Sequence, residues 1–371
     1  MILDNKQFEE LRAAVTEATR NELLSLNKLR ERVRNQIVMT KLGRRSLHTV
    51  APVAADGGEN NLAFEPASIE MIRVADSERT KHVELIIPLT TDPGTYERLF
   101  ETVPVLSRML DRLGIGYEDV SFLLPQRKTE LENEERISSR EYARIFRDIV
   151  EWAVLLDLAW TRNKLLLLRD GLLRTKSMKR ETVKRLADSF EQCYHDRGNL
   201  LLGVAKRSKV LNYLSLALTF EKTFECDYAC FCEVPEELEK DSYNWARTWQ
   251  KGDQVFGRMH LVKLVPLRRG LVIPVDVPRW LMDNRTRKEA LEYLVDTADC
   301  SFPIVGYPYP LVKAHEYAVL EGLDLEIVGS MVEQALVSFH SEEEKARVVE
   351  ILRLGRGLQL GGWKDYGNVE G

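Results

Sequence analysis

Apolar positions at helical spacing open the chain: Phe8, Leu11, Val15, Leu23, Leu26, Leu29 and Val33 recur with charges between them. That period predicts an amphipathic helix over the first forty-odd residues, a packed arm, a dimer element or a partner-binding helix. From His48 the period shortens. His48–Ala55 is a small, β-leaning run that is expected to stop at Asp56-Gly57-Gly58, and strand-like stretches follow at Ala67–Val74 and His82–Leu89, with turns between them. Thr95–Leu113 is periodic in Leu99, Phe100, Val103, Leu106 and Leu110 and predicts a helix, as does Ser138–Trp160, where Ser138 and Glu141 fit a capping box. The polar stretch Gln126–Arg136 between them reads as a solvated loop.

Strands and helices then alternate. Lys164–Asp170 and Asn199–Ala205 are short, nearly continuous apolar runs, the pattern of strands buried on both faces. Helices are expected over Met178–His195, Val210–Glu221 and Arg285–Asp299, and strands over Val255–Val265, Leu271–Val275 and Ser301–Val305. Leu311–Leu320 begins the C-terminal helices. A meander followed by βα alternation predicts an α/β fold whose mixed sheet is flanked by helices. The expected division is an N-terminal helical extension (1–44), one catalytic domain (45–340) and a C-terminal helical tail (341–371).

Composition changes this picture little. The 371 residues are 44% hydrophobic and 30% charged, ordinary for a globular protein. No run of about eighteen apolar residues predicts a membrane span, and the first twenty residues lack the apolar stretch of a secretory signal, so a cytoplasmic protein with no membrane partner is expected. A net charge of −5 excludes a surface that coats nucleic acid as a whole, but not a locally basic groove. Five cysteines do not make a disulfide framework. Cys226, Cys230 and Cys232 have no metal-binding spacing that includes a fourth ligand and read as buried thiols, which speaks against a cysteine-metal DNA-binding protein. No phosphate-binding Gly-x4-Gly-Lys motif occurs, so the chain itself is not expected to hydrolyse ATP.

Two acids carry the chemistry. Asp56 follows Val53-Ala54-Ala55 and precedes two glycines; Asp170 follows four leucines and Arg169 and precedes Gly171. An Asp-Gly pair alone is a common turn. Here each follows an apolar run, so each carboxylate is expected at a strand tip, and two such tips on neighbouring strands would hold oxygens at the spacing a hard divalent cation requires.

Four motifs in order carry a resemblance. Ala54-Ala55-Asp56-Gly57, Leu168-Arg169-Asp170-Gly171, Gly203-Val204-Ala205-Lys206-Arg207-Ser208, and Gly306-Tyr307-Pro308-Tyr309-Pro310-Leu311 followed by Ala314-His315 together resemble the NurA nuclease family over about residues 50–320. The resemblance implies a ribonuclease-H-like fold, hydrolysis of DNA with Mn²⁺ or Mg²⁺ (two ions), a homodimer, and a HerA-type hexameric ATPase as partner in DNA end resection and double-strand break repair. It further implies 5′–3′ exonuclease and single-strand endonuclease action. Carried over by position, Asp56, Asp170, Glu151 and His315 become metal ligands, Tyr307 an active-site hydroxyl, and Lys206 and Arg207 phosphate binders. Glu84 is the reserve for the third acid. The basic positions Arg174, Lys176, Lys179, Arg180, Lys184 and Arg185 are expected either to track a DNA backbone or to form a solvated face, and Tyr309 with Tyr307 to stack on unpaired bases. The chain departs from the pattern in having Asp-Gly-Gly where Asp-Gly-Ser is common, and in a long stretch between Asp92 and Arg136. The competing reading is a catalytically silent scaffold of the same fold that regulates an ATPase.

Overall fold

The computed structural model describes residues 5–44, 49–64, 67–88, 92–124, 139–245, 254–299, 301–320 and 322–338. At its centre, β2 (Ala51–Phe64), β3 (Ala67–Asp76) and β4 (Lys81–Pro88) form an antiparallel meander. On the other side of β2 lie β5 (Leu165–Asp170) and, beyond it, β7 (Leu200–Val204), both parallel to their neighbours. The order β4-β3-β2-β5-β7, three antiparallel strands continued by two parallel ones, is the ribonuclease-H-like core. Connections set these directions: tight turns join the meander, whereas β2 reaches β5 through the meander and helices, and β5 reaches β7 through α6 (Arg180–Arg197).

Four further strands extend the sheet antiparallel from β7. They are β11 (Val272–Pro278), β10 (Gly257–Lys263), β8 (Cys230–Glu233) and, at the edge, β1 (Thr40–Lys41), so nine strands among the described residues share one sheet. The short β6 (Arg174–Thr175) and β9 (Gln254–Val255) pair apart from it. Strand β5 is buried along its apolar length, as its unbroken leucine run predicts, each leucine contributing about 1.5–3 kcal/mol of burial.

The faces of the sheet are sorted by residue parity. Val53, Ala55, Leu165 and Leu167 pack on one side with α5 (Ser139–Thr161). Ala54, Leu166 and Leu168 pack on the other with α9 (Asn284–Asp296) and α10 (Tyr309–Ala318). Helix α5 is apolar nearly all round, with Ile149, Val150, Trp152, Ala153, Val154 and Leu155 all buried. That is why it fills the interior rather than lying on the surface. The long α1 (Asn5–Gln36) docks only its last turns: Leu29, Val33 and Ile37 pack on Val210, Leu214 and Leu218 of α7 (Lys209–Phe220), and Glu221 accepts from Arg30 (2.8 Å) and Arg34 (2.9 Å).

Several expectations are corrected. The helix over Thr95–Leu113 is two, α2 (Pro93–Thr102) and α3 (Pro104–Leu113), because Pro104 cannot donate to the preceding turn and forces Val103 into extended backbone. Strand β2 does not stop at Asp56 but runs through Gly57-Gly58 to Phe64, paired all the way to β3. Ser301–Val305 is a turn rather than a strand; Phe302, Ile304 and Val305 are exposed and Pro303 interrupts it. Strand β8 and α8 (Glu236–Trp245) were not anticipated, since β8 has only four residues and carries two cysteines. Short helix α4 (Tyr117–Val120), a 3₁₀ turn at Arg279–Leu281 and α11 (Gly322–Ser338) complete the described elements. Ser138 of the expected capping box, the Gln126–Arg136 loop and the 341–371 tail lie outside the described residues.

The turn after β5 folds back across β7 at Gly203, where a Cβ would lie 2.7 Å from the Leu173 nitrogen and 2.8 Å from the Gly171 oxygen. Those are backbone atoms that cannot swing away. Gly203→Ala is therefore expected to destabilise the protein by about 1–3 kcal/mol or more, read as a lower urea midpoint at unchanged m.

Candidate metal centre

Parallel pairing places the two acids side by side. Ala55 lies opposite Arg169 in the β2–β5 register, so the next residue on each strand is Asp56 and Asp170. Both share parity with Ala54 and Leu168 and so face α10, not α5. Helix α10 brings His315 over them. One ligand atom each from Asp56, Asp170 and His315 lies within 4.8 Å of the others, the one such group of three among the described residues. Nδ1 of His315 is 2.8 Å from Oδ2 of Asp56.

The glycines after the acids have different jobs. Gly171 has φ +131°, a conformation that other residues rarely adopt, and lets the chain turn sharply after Asp170, as expected. Gly57 and Gly58 sit in extended strand and serve close approach instead. A Cβ on Gly58 would fall 2.0 Å from the Ala318 carbonyl oxygen, and one on Gly57 2.5 Å from Oε1 of Glu151. Two missing side chains thus let α10 and α5 press on β2 from opposite faces, next to Asp56.

Around Asp170 the structure adds groups the sequence placed farther off. Lys206, in the loop after β7, reaches Oδ2 of Asp170 at 3.0 Å, and the Tyr307 hydroxyl donates to Oδ1 at 3.2 Å. The Lys206 ammonium lies 5.7 Å from the centre of the Tyr307 ring. Tyr307 is buried, and burial first, then the Asp170 charge, holds its hydroxyl well above the ordinary tyrosine range, so it stays a donor. Burial and the Asp56 charge push Asp170 upward, against Lys206 and Tyr307. The Asp170 carboxylate, disfavoured as an anion, forms with the Asp56 carboxylate and the His315 imidazole an O,O,N donor set that suits a divalent cation.

The other predicted residues lie elsewhere. Glu151 is not brought into the triangle: it stands on the α5 face, across Gly57, 3.5 Å from Arg147 and 3.8 Å from Arg169. Burial among apolar neighbours raises its pKa well above the usual carboxylate range despite Arg169. Glu84, the reserve, is on the meander's outer strand, bound to Arg73 and, at 2.7 Å, to Lys81. Arg207 is exposed beside Lys206. Of the basic stretch, Arg174 points inward to Asp276 (2.8 Å) and Glu239 (2.6 Å), Lys179 holds the Glu118 carbonyl, and Arg185 holds those of Leu113 and Gly114; these three stabilise the fold.

Arg169, not among the residues expected at the site, also bears on it. Its guanidinium pairs with Asp148, donates to the Leu172 carbonyl at 2.7 Å and covers the Trp152 ring at 4.5 Å, so it braces the turn after Asp170. A lone arginine inside a leucine run was the available signal.

Against known proteins, the family model described as the NurA domain matches residues 53–254, more than half of the chain. No curated protein matches the sequence. Among solved structures, the chain is similar to the NurA nuclease from Sulfolobus solfataricus, at 14% identity and a TM-score of 0.49, covering 92% of this chain and 99% of that one. It is also similar to a NurA bound to dAMP and manganese (10% identity, TM-score 0.40, 93% and 99% covered) and to a NurA with manganese (10%, 0.36, 87% and 98%).

The Asp56 contact, foremost its hydrogen bond, raises the His315 pKa above its ordinary 6.5. A raised folded-state value means the pair adds stability below about pH 6.5 and loses it as pH rises through the folded-state value. Proton NMR of the metal-free protein should show His315 titrating above 6.5, and Asp56→Asn should return it to 6.5 or below. A midpoint unmoved by that substitution would mean the two side chains are not bonded in solution.

Proposed function

The chain belongs to the NurA family, and on that footing we propose that it is a divalent-metal-dependent DNA nuclease that hydrolyses phosphodiester bonds. The observation that carries the reading is the convergence of Asp56, Asp170 and His315 from two parallel strands and a helix on one face of the sheet. Structural carboxylates are kept apart or paired with cations; a pair held together against its own repulsion suits a bound ion.

Asp56, Asp170 and His315 would hold the cation, and manganese fits a donor set that includes imidazole. A bound divalent cation supplies Lewis-acid stabilisation of the charge that builds on the phosphoryl oxygens. The chain's own groups do the rest. Tyr307 fixes the Asp170 carboxylate by donating to Oδ1, while Oδ2 is the oxygen that Lys206 reaches. Lys206, its side chain 41% exposed, can exchange Asp170 for a phosphate oxygen once a cation takes over that carboxylate. Arg207, exposed beside it, offers a second phosphate contact. Two ions belong to the fuller reading, but Glu151, on the α5 face across Gly57, is not placed to share one with Asp56.

The fuller reading includes 5′–3′ exonuclease and single-strand endonuclease action in DNA end resection and double-strand break repair. It also includes a cytoplasmic setting, a HerA-type hexameric ATPase partner and a homodimer. No helix among the described residues is long and apolar enough to cross a membrane. For the homodimer, support comes from α1. Phe8, Leu11, Val15 and Leu23 are exposed on the same side of the helix as the docked Leu29 and Val33, so the apolar stripe runs on past the body, uncovered among the described residues. Sedimentation of the full chain against Val15→Glu should show a dimer that the charge dissociates.

End-labelled single- and double-stranded DNA, incubated with Mn²⁺, Mg²⁺ or chelator, tests the central claim. Cleavage is expected with Mn²⁺ and not with chelator. Asp56→Ala and Asp170→Ala should each lower it on the order of a thousandfold or more while far-UV dichroism stays unchanged. Full activity in Asp56→Ala would refute the assignment; no cleavage by the unaltered chain, with an ATPase partner still bound, would favour the silent scaffold.

A further inference from the structure

At the far end of the sheet, a second reactive cluster lies outside the nuclease site. Cys226 is in the turn between α7 and β8, and Cys230 is the first residue of β8. Their sulfurs are 3.4 Å apart. Lys263 pairs directly across from Cys230 in the β8–β10 register, and its side chain is wholly buried. Its ammonium lies 3.2 Å from the Cys226 sulfur and donates to the carbonyls of Phe224 (2.9 Å), Leu267 (3.1 Å) and Cys226. Among the described residues, then, the partners of this buried cation are three carbonyls and one sulfur. A buried ammonium needs a counter-charge, and the one group there that can supply it is the Cys226 thiolate.

We propose that Cys226 is an oxidation site for hydroperoxides, with Cys230 as the thiol that closes a Cys226–Cys230 disulfide. The two sulfurs are polarised in the required sense. Burial works against the Cys226 thiolate, but the Lys263 and Cys230 hydrogen bonds outweigh it and lower its pKa. Cys230, pushed up to about 12 chiefly by burial and then by Cys226, stays the protonated donor. Cys226 is also the member of the pair that meets solvent.

In the first step the Cys226 thiolate attacks one peroxide oxygen. An S–O bond forms, the O–O bond breaks, and hydroxide (or alkoxide) departs; sulfur loses two electrons and the peroxide gains them. In the second step the Cys230 sulfur attacks that of the sulfenic acid. The S–S bond forms, the S–O bond breaks, and the departing hydroxide takes the Cys230 proton as water. Closing 3.4 Å to a covalent bond of about 2.05 Å needs only a small shift of the turn.

The test uses the full chain and hydrogen peroxide. Intact mass should fall by two hydrogens. Chymotryptic cleavage after Tyr228 and Phe231 separates Cys226, Cys230 and Cys232, and the first two should remain linked until reduced. In Cys230→Ser the sulfenic acid should persist and be trapped by dimedone on Cys226, while Cys232→Ser should behave like the unaltered chain. Alkylation of the unaltered chain by iodoacetamide should be at least about tenfold faster at Cys226 than at Cys193 or Cys232, and Lys263→Met should remove most of that advantage. Equal alkylation rates in the unaltered chain, or a linkage other than Cys226–Cys230, would overturn the proposal, whether or not the Lys263 variant folds.

Discussion

Two carboxylates side by side on parallel strands are a standing electrostatic cost, and much of this structure can be understood as what holds them there. The register of β2 against β5 fixes Asp56 next to Asp170, and the leucines of β5, packed alternately into the cores on its two sides, anchor that strand between them. The repulsion is met by contacts from elsewhere in the chain: His315 on Asp56, Lys206 and Tyr307 on Asp170. None of these belongs to the two strands. The helix, the loop after β7 and the turn before α10 are thereby tied to the sheet's centre through polar contacts.

Glycine makes this convergence sterically possible. With no Cβ at Gly57 or Gly58, β2 can be approached closely from both faces, by the Glu151 carboxylate on one and the end of α10 on the other. The consequence is a thin wall. Glu151 is separated from Asp56 by a strand backbone with no side chain filling the gap, and the Asp56 field reaches it, adding to the burial that raises its pKa, although the two lie on opposite faces. Arg169 and Arg147 on the α5 side temper that field. The acid on α5 and the acids on the strands form one electrostatic unit divided by a sheet.

How much of this was legible depended on whether the signal was local. The leucine run of β5, the alternation of βα units and the apolar period of α1 and α5 each report burial directly, so those elements could be read from sequence. The acids of β2 and β5 stood out because a charge ends an apolar run. What could not be read was lateral: Gly57-Gly58 has the composition of a turn, and only pairing along the whole of β3 makes it strand. Likewise nothing near Glu151 says which face of the sheet its helix covers. Lys206 could be numbered but not placed against Asp170, since the loop after β7 carries no periodic signal. Arg174 looked like a solvated cation until Asp276, some hundred residues on, proved to be its partner.

The partial docking of α1 bears on its own stability. In α1, 24 residues precede Leu29, a length of about 36 Å, against a radius of gyration of about 21 Å for a domain of this size. Helical stability in proteins comes mostly from tertiary packing, which this stretch lacks among the described residues. Its amides are thus the ones that open most readily, and deuterium uptake along α1 should grade from rapid near Phe8 to slow beside Val33. The steepness of that gradient reports how far along the helix anything else has settled.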